Sequence, residues 1–144
     1  MSFVYTNAKR ALLAGELDLD AHDIRVMLVM TNTTADTEED VSTISAFTTL
    51  DEFNGSGYAR QALTGEAVTA DNPGNFGKFD ANDAAFGTLG AGARNIQAAL
   101  VYRHITNDSD SIPIAFVDSG GFPFTANGST FTIQWNSGGI LQLT

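Results

Sequence analysis

The segment IRVMLVM, Ile24–Met30, constrains this chain most, because Arg25 is the only polar residue among apolar ones. A strand with one wet face alternates apolar and polar residues with a period of 2. This run does not alternate, so it predicts a strand covered on both faces, near the centre of a sheet. The stretch RNIQAALVYRHI, Arg94–Ile105, reads as a second, longer strand. In it Ile96, Ala98, Leu100 and Tyr102 alternate with Asn95, Gln97, Ala99 and Val101.

Further strands follow from the same pattern. TGEAVTA, AAFGTL and IPIAFVD are each bounded by turn residues. Pro113 has no N–H to give to a ladder, so it belongs at a strand start or on an edge. At the end, FTIQWNSGGILQLT sets Phe131, Ile133 and Trp135 on one side and Thr132 and Gln134 on the other. NSGG is turn chemistry, and the pattern predicts a closing β-hairpin that ties down the terminus. Trp135, in phase with Phe131 and Ile133, is expected in the core.

One helix is predicted near the start, capped by Thr6 or Asn7, running through AKRALLA and ended by Gly15. ELDLDAHD then reads as an acidic connection, and TNTTADTEED as a surface loop too polar to pack. VSTISAF suggests a short helical turn, and TTLDEF a strand end or a turn. NGSGYARQAL carries glycines Gly55 and Gly57, expected at positive φ in a hairpin or bulge. DNPGNFGKFDAND reads as turn signals, and SGGFPFTANG as a loop. The fold class that results is all-β: a β-sandwich or jelly-roll-like antiparallel fold with one short N-terminal helix, in a single domain over residues 1–144.

Composition narrows function. The net charge is −10, and Lys9 and Lys78 are the only lysines. Such a surface repels phosphates, so neither nucleic acid nor a membrane is an expected partner. With no cysteine, thiolate chemistry and disulfides drop out. MSFVYTNAKR lacks the apolar run of a signal peptide, and nothing approaches a membrane span, so a soluble protein assembled in a reducing cytoplasm is expected.

His22 and His104 lack the spacing partners of a hydrolase, and read as surface or hydrogen-bonded structural residues. Asp18, Asp20 and Asp23, like Asp80, Asn82 and Asp83, miss the calcium-loop pattern and read as turn caps. The Asn-x-Ser/Thr triplets at Asn32, Asn54, Asn107 and Asn127 read as turns. No catalytic residue, metal or cofactor is therefore expected. Phe122, Pro123 and Phe124, in a glycine-bounded loop, form the candidate partner-binding patch; the alternative is that they plug one end of the fold.

These segments taken in order resemble a family of small virion proteins of tailed bacteriophages, of the capsid decoration (cement) type. The resemblance runs from about Ala8 to the last residue. It is carried by the helix before DIRVMLVMTNTT, then LDEFNGSGYARQAL, FDANDAAFGTL, IQAALVYRHITNDSDSIPIAFVDSGG and NGSTFTIQWNSGGILQLT. It implies a non-enzymatic virion domain that binds the outside of the major capsid protein shell and stabilises the head. It also implies self-association into dimers or trimers there, after assembly in the host bacterial cytoplasm. Two other functions fit the same residues. One is a tail, baseplate or fibre structural or receptor-binding protein. The other is a non-viral carbohydrate-binding β-sandwich, with Trp135 and the tyrosines as stacking surfaces.

Overall fold

A computed structural model describes residues 2–144. The strands are β1 (Phe3–Val4), β2 (Ile24–Met30), β3 (Gln61–Ala62), β4 (Ala67–Asp71), β5 (Phe76–Asp80), β6 (Ala84–Leu89), β7 (Ile96–Arg103), β8 (Ile112–Val117), β9 (Ser129–Ile133) and β10 (Leu141–Leu143). Helix α1 spans Thr6–Leu13, and a single 3-10 turn spans Ile44–Ala46, where the sequence predicts a helical turn.

Every strand pairing is antiparallel. The main sheet has the order β1-β8-β7-β2-β3. Its inner strands are the apolar runs. Met27, Leu100 and Phe116 fall in one register row, and Val26, Val101 and Ala115 in the next. Neighbouring rows face opposite sides, and all six side chains are buried, so the sheet centre is covered on both faces as Ile24–Met30 predicts. Pro113 sits near the start of β8, beside the irregularity between Val101 and Tyr102 and beyond the reach of β1. The fold is thus all-β and antiparallel with one short N-terminal helix. The remaining strands form two smaller sheets, β10-β5-β4 and β6-β9. One hydrophobic cluster runs through all three sheets.

The helix ends as predicted. The Glu16 N–H donates to the Ala11 carbonyl at 2.8 Å and the Gly15 N–H to that of Leu12 at 3.2 Å, with Gly15 at φ +69°. This is the double bond pattern that satisfies the last helical carbonyls. The N-terminus differs: Tyr5 holds the cap position without a side-chain bond, and the Asn7 amide reaches the Ser42 carbonyl instead.

Four other expectations need correction. The chain does not close on a hairpin: β9 pairs with β6 and β10 with β5. FGKFD is a strand, β5, and not a turn. The polar segment Thr31–Asp40 packs after all, because hydrogen bonds replace apolar contact. The Thr33 hydroxyl donates to the Leu50 carbonyl at 2.8 Å, and Tyr5 Oη donates to the buried Ala35 carbonyl at 2.6 Å. Finally, Gly57 has φ +81° as expected, but Gly55 does not; a side chain there would collide with the Gly90 carbonyl and the Phe53 ring.

Candidate functional site

The three-stranded sheet leaves part of its apolar face uncovered. Register sets Leu141, Phe79 and Val68 in one row across β10, β5 and β4, and Leu143, Gly77 and Ala70 in the next row of the same face. Phe79 and Leu141 are buried, whereas Val68 is 53% and Leu143 60% exposed. Opposite them lies the connection after α1. Its alternation turns Leu17 and Leu19 inward and leaves Asp18 and Asp20 in solvent. Between the two walls is a groove of about 480 Å³, lined by those leucines, Val68, Gly77, Phe79 and Leu143, with both aspartates at its rim. Lys78 also lines the groove, but its ammonium is held by the Ser137 carbonyl at 3.0 Å and by Asp80 at 3.7 Å. The groove is therefore apolar within and acidic at the lip, which suits an apolar protein segment flanked by basic residues.

The predicted patch behaves differently. The Phe122 and Phe124 rings are half-buried, 5.8 Å apart, and both lie on Phe131, at 6.0 and 4.1 Å. Phe131 continues the series to Phe86 at 6.1 Å and, through it, to Tyr58 at 6.0 Å. Two backbone bonds between Phe124 and Ile96 fix the loop. Pro123 is exposed, so a partner at this loop would meet a prolyl ring flanked by two half-buried phenyl groups.

The other polar candidates are engaged in local structure. His22 Nδ1 accepts from the Asp18 N–H at 3.0 Å, and Asp83 accepts from the Trp135 N–H at 3.1 Å. Asn107 and Asn127 each take the N–H two residues on through Oδ1, as turn residues do, whereas Asn54 Oδ1 accepts from the distant Ala93 N–H at 2.9 Å. His104 donates its N–H to the Asp23 carbonyl, and its ring stands edge-on to Tyr102 at 6.4 Å. Its buried Nδ1 has no partner among the described residues. Trp135 is half-buried at the core margin, not inside it. Among the described residues no group of three or more His, Cys, Asp or Glu is placed to hold a metal ion. No helix among them is long and apolar enough to cross a membrane.

The strongest polar cluster centres on Arg60. Its guanidinium donates to both oxygens of Glu52, at 2.8 and 2.7 Å, and to both of Asp108, at 2.5 and 2.9 Å. It also lies 5.4 Å over the Tyr102 ring. Its hydrogen bonds to Asp108 and Glu52 raise the Arg60 pKa, and Arg60 in turn holds Asp108 below the ordinary carboxylate value. Tyr58, bonded to Glu52 at 2.8 Å, has its hydroxyl pKa pushed up, first by burial.

Neither the groove nor this cluster was anticipated from the sequence. The Leu-Asp-Leu-Asp alternation of residues 17–20 was the available signal for one groove wall; the other wall needed β5. In three comparisons, no family model, no curated protein and no solved structure matches the chain.

Proposed function

We propose that this chain is a capsid decoration (cement) protein of a tailed phage, which binds the outside of the major capsid protein shell and stabilises the head. The observation that carries the reading is the apolar face on which Val68, Ala70 and Leu143 lie exposed around Gly77, beside the acidic rim. Apolar surface left open next to charge marks a protein-docking site. The occupant is an apolar segment of the capsid protein with basic flanks, which the rim attracts, while the net charge of −10 keeps the protein off the genome. Dimers or trimers form on the shell: like charge opposes them in solution, and alignment on a lattice raises their effective concentration.

Gly77 makes the test clean. A Cβ built there meets nothing within 4 Å, and its φ is not positive, so Gly77→Met fills the groove and leaves the fold intact. Heads stripped of the protein are mixed with wild type, Gly77→Met or Leu143→Asp, then sedimented and heated to rupture. Wild type is expected to co-sediment and raise the rupture temperature, and each variant to bind about tenfold less tightly. An unchanged rupture temperature with wild type, or label found on tails instead of heads, would overturn the proposal.

A further inference from the structure

A second hollow has a different chemistry. It measures about 530 Å³ and is lined by Ser119, Gln134, Trp135, Asn136, Ile140 and Gln142 among others, with no charged residue in its wall. The wall offers no charged side chain to pair with an ion, and the net charge of −10 disfavours an anion there. The volume lies within the range of small-molecule sites, about 300–1,000 Å³.

The polar groups there supply donors and acceptors together. Asn136 Oδ1 accepts from the Gly138 N–H at 2.8 Å, which leaves Nδ2 as a donor. Gln142 Nε2 donates to the Gly138 carbonyl at 2.8 Å, which leaves Oε1 as an acceptor. The exposed Gln134 amide has no partner among the described residues and can do both. The Trp135 Nε1–H is fixed on the Asn82 carbonyl at 3.1 Å, so the indole adds carbon surface and π density, not a donor.

A ligand matched to this wall is neutral, has one face of C–H groups and carries hydroxyls that both donate and accept. We propose that this hollow binds a neutral pyranose, as a single ring or the end of a short glycan. The C–H face packs on Trp135 and Ile140, and the ring hydroxyls pair with Gln134, Asn136 and Gln142. The site is separate from the docking groove and does not depend on it.

Trp135 is the only tryptophan, so its emission reports directly on this hollow. The purified protein is titrated with the methyl glycosides of glucose, galactose, mannose and N-acetylglucosamine, each to about 50 mM, because binding of one ring reaches the millimolar range. A saturable change in emission with at least one of them is expected. Gln134→Ala, at an exposed side chain with no internal bond, should weaken it about tenfold with the unfolding midpoint unmoved. Gly77→Met should bind the glycoside as wild type does. No saturable change with any of the four, or wild-type affinity in Gln134→Ala, would overturn the proposal.

Discussion

Arg60 joins stretches of chain that are remote in sequence. Glu52 precedes it by eight residues and Asp108 follows by 48, in the turn between β7 and β8. The planar guanidinium serves both carboxylates because its N–H groups diverge in one plane. The site is half-open, with Arg60 23%, Glu52 27% and Asp108 38% exposed, so solvent screens part of the attraction. Removing the cation still leaves two carboxylates facing each other across the gap. Arg60→Met is therefore expected to cost about 1–3 kcal/mol, read as a lower urea midpoint with an unchanged slope. Arg60→Lys should recover less than half of that loss, since an ammonium cannot hold two carboxylates by paired bonds. Full stability in the lysine variant would show that only charge matters there.

At the scale of the element, β10 separates packing from exposure within three residues. Leu141 lies buried in a row with Phe79, and Leu143 lies in the open row. Leu141→Ala should cost about 2–4 kcal/mol and Leu143→Ala less than about 0.5 kcal/mol, measured by denaturant unfolding. Equal costs would mean that the groove is closed in solution. The same strand shows where the sequence stops being informative. β2 was legible because side chains buried on both faces leave an apolar run that has no other use, whereas β7 was legible from alternation and β8 from apolar residues bounded by turns. β5 was not, because Gly77 and Lys78 interrupt its pattern and DNPG before it is turn chemistry. The closing segment misled for a related reason. Alternation says which side chains face inward, but the ladder partner of β10 lies some sixty residues upstream, at Gly77–Phe79. The Ile140 N–H donates to the Phe79 carbonyl, so NSGG carries the chain from one sheet to another instead of folding it back. Arg60 was hidden likewise: nothing local marks a guanidinium whose partners arrive only with the fold.

For the whole molecule, acidity and stability are linked through a few carboxylates. Asp108 is held below its ordinary pKa by Arg60, Asp51 by Arg94 and Asp23 by Arg25, each chiefly through side-chain hydrogen bonds. The Thr48 and Thr34 hydroxyls and the Thr48 N–H do the same for Glu38. For each of these the unfolded chain takes up a proton more readily than the folded one, near the ordinary values of about 3.9 and 4.3. Their contribution is thus whole at neutral pH and is lost as pH falls from about 5 through the ordinary values toward the lower folded ones. A competing effect comes from the net charge of −10, since protonating unpaired carboxylates relieves repulsion. Salt separates the two. At about 1 M the Debye length is about 3 Å, so long-range repulsion is screened, while carboxylates in direct hydrogen-bonded contact are affected far less. The expected result is a stability that is level between pH 7 and about 5 and falls below it, with the fall persisting at about 1 M NaCl. Asp108→Asn should be less stable at pH 7 and lose less between pH 5 and pH 3 than wild type, because one of the responsible groups no longer titrates. Urea midpoints across this range provide the measurement. A midpoint that stays level or rises down to pH 3 in high salt would mean that these ion pairs and hydrogen bonds do not stabilise the native state.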